Sequence, residues 1–124
     1  MTVNGRSVRV LFAGGGTGGH LFPGLAVARE LRRRDPESQV MFAGTGRALE
    51  VRVLSHEGLA LERVRAVGLA GGSPLTILKG LAHLPVSFFD AARLLNRFRP
   101  DIVVGLGGYS SGPVVLLAAL SQIA

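Results

Sequence analysis

Two short β-branched runs in this chain each end in glycines that lead into a helical pattern. The first, Ser7 to Ala13 (SVRVLFA), precedes GGGTGGH at residues 14–20, and the second, Asp101 to Leu106 (DIVVGL), precedes GGYSSGP at residues 107–113. Short apolar runs of this kind are typical of buried parallel strands, and glycines permit a tight turn from strand to helix. The pattern predicts an α/β fold with both turns at carboxyl ends of strands.

The rest of the chain alternates in the same way. We predict a helix from Leu21 to Asp35-Pro36, a strand over Gln39–Ala43, a helix from about Ala48 to Glu57 ended by Gly58, and a weaker strand over Leu61–Val67. Two further helices are predicted at about Leu75–Leu84 and Val86–Arg99, divided by Pro85, and a last helix from Gly112. This alternation predicts a Rossmann-like open parallel sheet with helices on both faces.

Composition narrows the class of protein without choosing a ligand. The 124 residues suffice for one domain, the formal net charge is +6, and Lys79 is the only lysine among fourteen basic residues. A positive surface suits phosphates, anionic lipid headgroups or nucleic acid. Zero Cys excludes a disulfide scaffold and a Cys nucleophile. We recognise no secretory signal, and the glycine turn interrupts the apolar stretch near the end, so a cytosolic protein without a membrane span is expected.

The first glycine turn, residues 14–20, has the composition of a phosphate-binding loop. Its bare amides and the start of the following helix can both approach an anion. A Lys-Ser/Thr pair is missing after the last glycine, which excludes a P-loop. Gly14, Gly16 and Gly19 also match the dinucleotide fingerprint, although the second predicted strand lacks the acidic residue expected at its end. That alternative and a turn without ligand both stay open on this pattern.

His20 and the second glycine turn extend this site. Imidazoles titrate near neutral pH, so His20 beside an anion site is a candidate for proton transfer, and a capping or packing role is the alternative. Ser110 and Ser111 could merely cap the last helix. Two such turns facing one crevice favour a substrate that carries a diphosphate and a sugar.

An apolar stretch with basic neighbours surrounds Pro85. Ordinary core helices would account for most of it, whereas an apolar surface with cationic neighbours is typical of contact with an anionic membrane. The residues predicted to make this contact are Leu75, Ile77, Leu78, Lys79, Leu81, Leu84 and Phe88.

Four segments together resemble a known family. GGTGGH (residues 15–20) continuing into LFPGLAVA, GTGRALE (44–50) and PDIVVGLGGYSSGP (100–113) are similar to the amino-terminal domain of the MurG family, the bacterial N-acetylglucosaminyltransferases of peptidoglycan synthesis. The resemblance runs in order over nearly the whole chain. It implies the acceptor-side, amino-terminal half of a GT-B glycosyltransferase, with residues 1–124 as a domain incomplete at its carboxyl-terminal end and the donor-binding domain missing.

The resemblance also implies an activity. Enzymes of this family transfer N-acetylglucosamine from UDP-N-acetylglucosamine to the 4-hydroxyl of lipid I with inversion, forming lipid II, as peripheral proteins at the cytoplasmic face of the plasma membrane. We expect these substrates and an anionic membrane surface as partners, no nucleic acid, no cofactor and no metal, and no activity from this chain alone. Another GT-B enzyme acting on a glycolipid, or a non-catalytic subunit completed by a second chain, are the alternatives.

Residue roles follow from the matching motifs. His20 would be the catalytic base, and Thr17, Gly18 and Gly19 would lie against the donor. The residues implied to hold the acceptor and its diphosphate are Gly15, Gly16, Gly107, Gly108, Tyr109, Ser110, Ser111 and Gly112. Two departures stand out: the usually basic loop is Leu69-Ala70-Gly71-Gly72, and Ser110 replaces a commonly apolar residue.

Overall fold

A computed structural model describes residues 2–14, 18–65, 73–108 and 110–124. The strands are β1 (Thr2–Val3), β2 (Arg6–Ser7), β3 (Arg9–Gly14), β4 (Gln39–Gly44), β5 (Ala60–Arg63) and β6 (Ile102–Gly107). The helices are α1 (Gly18–Arg34), α2 (Ala48–His56), α3 (Pro74–Phe98) and α4 (Ser111–Leu120). Strands β3 to β6 form a four-stranded parallel sheet in the order β5-β4-β3-β6. The predicted parallel α/β fold is confirmed.

Side chains of the central strands point alternately to the two faces of the sheet and pack against helices on both. Phe12 and Phe42, neighbours on β3 and β4, stack at 5.0 Å between ring centroids and pack with buried residues of α1 and α2. On the opposite face Leu11 packs with Ala91 of α3 and Val114 of α4. Successive strand residues point to opposite faces, so helices cover both sides, as the alternation predicted.

The prediction of two helices divided by Pro85 is wrong, because α3 is a single helix of 25 residues with Pro85 inside it. A proline in a helix removes one backbone hydrogen bond, here the bond to the carbonyl of Leu81, and costs about 3 kcal/mol. Both Leu81 and Pro85 are exposed, so water can bond that carbonyl. The buried stripe continues through Gly80, Ser87 and later residues, and this packing holds the helix together.

A short antiparallel hairpin, β1 with β2, precedes the sheet and was not predicted. Asn4 (φ 52°) and Gly5 (φ 75°) form its turn, and an Asn-Gly pair is the sequence signal that could have located it. Arg6 of the hairpin donates two hydrogen bonds to Asp101, at 3.0 and 2.8 Å. The backbone N–H of Arg9 donates to the same carboxylate at 2.8 Å, and these groups hold the pKa of Asp101 below its usual value. Asp101 thus joins the hairpin, β3 and the start of β6.

The direction of α3 bears on the site. Its last residue, Phe98, accepts a hydrogen bond from Arg9 at the start of β3, whereas Ser87 donates to the carbonyl of Arg65, just past the end of β5. The helix therefore runs antiparallel to the strands. Its first 13 residues, which are about 20 Å of helix at 1.5 Å per residue, precede this contact near the carboxyl edge of the sheet.

Candidate active site

The two glycine turns begin side by side, because β3 and β6 are neighbouring parallel strands. Their last residues, Gly14 and Gly107, are partners in the register. A Cβ atom at Gly14 would lie 2.4 Å from the carbonyl oxygen of Gly107, so only glycine permits this approach. Gly14 (φ +127°) and Gly107 (φ +100°) also adopt left-handed backbone conformations, which favour glycine. The two turns were predicted to face one crevice, and their described residues meet at one edge of the sheet.

Each turn leads directly into the start of a helix. After the first turn α1 begins at Gly18, and after the second α4 begins at Ser111. Neither helix carries an acidic side chain in its described first turn. Helix N-termini attract anions through their free N–H groups and positive dipole ends. This edge of the sheet is therefore suited to hold a diphosphate.

His20 lies in the first turn of α1, against the second glycine turn. A Cβ atom at Gly107 would lie 3.2 Å from both the Cδ2 and the Nε2 atom of the imidazole. His20 is half-buried rather than enclosed in the core. The imidazole that follows the first turn thus lies beside Gly107 of the second turn.

The serines of the second turn face the protein interior. Ser110 is 1% exposed, and its side chain makes no capping hydrogen bond to the described first turn of α4. Ser111 is also buried, and its hydroxyl donates to the carbonyl oxygen of Gly108 at 2.9 Å. The alternative of a helix cap therefore does not hold for Ser110, and the assignment of both serines to the acceptor and its diphosphate stays a prediction. Gly112 and Gly108 are exposed.

The structure describes only some of the other predicted site residues. Gly18 is half-buried and Gly19 exposed at the start of α1. Gly15, Gly16, Thr17 and Tyr109 lie outside the described residues, as does the loop at residues 69–72. The roles assigned to all of these residues stay predictions.

A third strand end at this edge carries a buried carboxylate that the sequence analysis did not single out. Glu50, 1% exposed in the first turn of α2, accepts hydrogen bonds from the N–H and hydroxyl of Thr45 at 3.2 and 3.0 Å. It also accepts from the N–H of Arg47 at 2.7 Å. A Cβ atom at Gly44 would lie 2.2 Å from its Oε1 atom. The signal was available: a Glu three residues after the N-cap is half of a capping box.

The residues predicted to contact a membrane all lie in α3. Residues 73–79 are exposed without exception, among them Leu75 at 60% and Leu78 at 63%. Leu78, Leu81, Pro85 and Phe89 are exposed and follow one another at spacings of three and four residues, which places them on one side of the helix. Leu84 and Phe88 are half-buried. Phe89, 62% exposed, belongs to this surface and was not among the residues predicted for it.

The described ranges contain neither a cluster of metal ligands nor a helix that could span a membrane. No three His, Cys, Asp or Glu side chains in these ranges lie close enough together to bind a metal ion. No helix in them combines the length and the apolar character needed to cross a bilayer.

An open parallel sheet with two glycine turns at adjacent strand ends defines an α/β domain of the nucleotide- or diphosphate-binding class. The model of the glycosyltransferase family 28 N-terminal domain matches residues 10–124, and the chain belongs to this family.

Three similar proteins are about three times as long as this chain. The UDP-N-acetylglucosamine--N-acetylmuramyl-(pentapeptide) pyrophosphoryl-undecaprenol N-acetylglucosamine transferase of Myxococcus xanthus is 52% identical over 116 residues, which cover 94% of this chain and 30% of that protein. The enzyme of the same name from Geotalea uraniireducens is 48% identical, with 94% and 32% covered. The crystal structure of Acinetobacter baumannii MurG superposes with a TM-score of 0.70 at 32% identity, covering 94% of this chain and 33% of that one. This chain therefore spans about a third of the length of these relatives.

Proposed function

We propose that this chain forms the acceptor-side part of an enzyme that transfers N-acetylglucosamine from UDP-N-acetylglucosamine to the 4-hydroxyl of lipid I, producing lipid II. The observation that carries the proposal is the contact of His20 with the Gly107 turn, at the edge where two helix N-termini meet. The names of relatives that match 94% of the chain support the choice of substrates.

The site offers the groups that an inverting transfer needs. His20 would accept the proton of the attacking 4-hydroxyl as the new bond to the sugar C1 forms and the bond from C1 to UDP breaks. The UDP oxygen leaves with the electron pair of that bond. Backbone amides and helix N-termini can stabilise phosphate charge. In this arrangement Thr17, Gly18 and Gly19 lie against the donor, and the acceptor diphosphate lies along residues 107–112 with Gly15 and Gly16.

We further propose that the protein binds peripherally to the cytoplasmic face of the plasma membrane through α3. The exposed first part of α3 precedes the contact of Ser87 near the same edge of the sheet that carries the glycine turns. It carries apolar side chains together with Lys79, and such helices lie in the interface of anionic membranes. An acceptor linked to a membrane lipid would reach the turns from this side.

Liposome flotation tests the membrane proposal. The chain is expected to float with anionic vesicles at low salt, and Leu78→Glu should weaken binding at least tenfold, because burial of one Leu contributes about 1.5–3 kcal/mol. Val51→Glu, which alters another exposed apolar residue on α2, is the matched control and should leave binding unchanged. Absence of flotation by the unaltered chain at low salt would reject the proposal.

A chimera tests the activity. Residues 10–124 replace the matching segment of the Myxococcus xanthus relative, to which this chain is 52% identical. We expect the purified chimera to form lipid II from UDP-N-acetylglucosamine and lipid I, and the isolated chain to form none. A folded chimera that binds both substrates without turnover would contradict the proposed function. Turnover by the isolated chain would contradict the expectation that most contacts to the donor come from the rest of the enzyme.

A further inference from the structure

The pairing of β3 with β6 is irregular next to the site. Ala13 pairs with Gly105, whereas the next residue, Gly14, pairs with Gly107, so Leu106 is an extra residue in β6. Bulges of this kind redirect a side chain and are frequent beside active sites. The Cβ atom of Leu106 would lie 3.1 Å from a Cβ at Gly14, so the start of the Leu106 side chain lies close to the end of β3.

The other end of the Leu106 side chain lies against Gly24 of α1. A Cβ atom at Gly24 would lie 2.5 Å from Cδ1 and 2.9 Å from Cδ2 of Leu106, well inside the contact distance between carbon atoms. Gly24 is buried, and Leu106 packs against the core cluster that contains Leu21 and Leu25. The helix therefore approaches β6 closely only because residue 24 has no side chain.

This contact adjoins the contact between His20 and the second turn. His20 and Gly24 are four residues apart on one face of α1, and Leu106 and Gly107 are consecutive in β6. We propose that Gly24 and Leu106 form a positioning contact that sets the distance between the His20 imidazole and the Gly107 turn. The contact itself follows from these distances alone, whereas its importance for catalysis rests on the proposed function.

A methyl group at Gly24 should move the start of α1 away from β6. Carbon atoms in contact lie about 3.5–4.0 Å apart, so relief of the overlap requires a displacement of about 1 Å. His20 is one helical turn away and moves with the helix. Misplacement of a catalytic group by 1 Å can lower the rate about 100-fold.

NMR of the ¹³C-histidine-labelled chain tests the geometry, because its three histidines report separately. Gly24→Ala is expected to shift the imidazole signals of His20 and to leave those of His56 and His83 in place. The double variant Gly24→Ala/Leu106→Ala lacks the methyl groups that obstruct the new side chain. Its His20 signals should therefore lie close to those of the Leu106→Ala single variant. Val27→Ala, at an exposed position of α1, is the control and should shift none of the three beyond local effects.

The NMR experiment distinguishes movement of α1 from rotation of the Leu106 side chain. If Leu106 instead rotates away, Gly24→Ala keeps the His20 signals and raises the melting temperature, because Ala favours a helix over Gly; that result overturns the proposal. If Gly24→Ala does not fold, the double variant is measured instead. A double variant that folds and shows the His20 signals of the Leu106→Ala variant supports the contact, and a double variant that does not fold overturns it.

The activity of the chimera tests whether the contact between Gly24 and Leu106 matters for catalysis. We expect Gly24→Ala to lower kcat tenfold or more with little change in the donor KM, and Leu106→Ala to recover at least half of that loss on a logarithmic scale. An unchanged kcat alongside shifted His20 signals overturns the catalytic role of the contact. An inactive chimera with the unaltered segment counts against the proposed function instead, since the NMR result does not depend on turnover.

Discussion

Replacement of His20 by alanine is expected to lower the turnover of the Myxococcus xanthus chimera by about 100-fold or more, the usual effect of losing a general base. The imidazole is the only titratable side chain among the described residues of the two glycine turns, and it lies beside Gly107. Without it the attacking hydroxyl would transfer its proton to water. Steady-state assay with saturating UDP-N-acetylglucosamine and lipid I measures the effect.

The matched control is His56→Ala, which removes an exposed imidazole from the end of α2. We expect this variant to retain the full rate. The KM values of the His20→Ala enzyme should change little, since the backbone amides that hold the phosphates remain. A fall in turnover of less than about tenfold, well below the ~100-fold range of general bases, would remove His20 from the role of base.

Replacement of Glu50 by alanine is expected to lower the free energy of unfolding by about 3 kcal/mol, because three hydrogen-bond donors lose a buried carboxylate as their partner. The N–H groups of Thr45 and Arg47 both donate to this carboxylate, and Glu50 is only 1% exposed. The change also removes an acidic residue from the first turn of α2, where a negative charge is favourable. Urea unfolding followed by circular dichroism measures the difference.

Glu37→Ala is the control, because this exposed carboxylate follows α1 and lies outside such a network. Its effect should stay within about 0.5 kcal/mol, as is usual for surface changes. Glu50→Gln should fall between the two, since the amide oxygen still accepts one bond without the charge. A Glu50→Ala variant as stable as Glu37→Ala would mean that Glu50 is not needed to hold the Thr45–Arg47 turn.

Elements that depend on local pattern were predictable from the sequence. The runs before Gly14 and Gly107 are continuous and rich in β-branched residues, a pattern typical of parallel strands. The first run forms the buried strand β3, whereas β6 lies at the edge of the described sheet and has no buried residue, so the burial expected of the second run is wrong. Gly58, at φ +66°, ends α2 as expected of a glycine after a helix. The continuity of α3 through Pro85 was not predictable, because it depends on packing on both sides of the proline that only the tertiary structure supplies.

The same division holds for the site. Adjacent turns follow from two glycine clusters after parallel strands, and His20 follows from its place in the first cluster. The burial of Ser110, which is 1% exposed, could not be predicted, because a serine just before a helix is typical of an exposed N-cap and its burial depends on the tertiary packing around the turn. The fit of Leu106 against Gly24 depends on an extra residue in β6, and nothing in the spacing of the sequence indicates that irregularity.

The unbroken course of α3 has a mechanical consequence. Two helices joined at a hinge would let the sheet tilt freely once the outer one lay in a lipid surface. A single helix of 25 residues instead connects the two ends. The carbonyl of Phe98 accepts a hydrogen bond from Arg9 at the start of β3, and Leu75 and Leu78 lie near the opposite end of the helix. Anchorage at the tip would therefore fix the angle of the whole sheet and hold the glycine edge at a constant height over the headgroups.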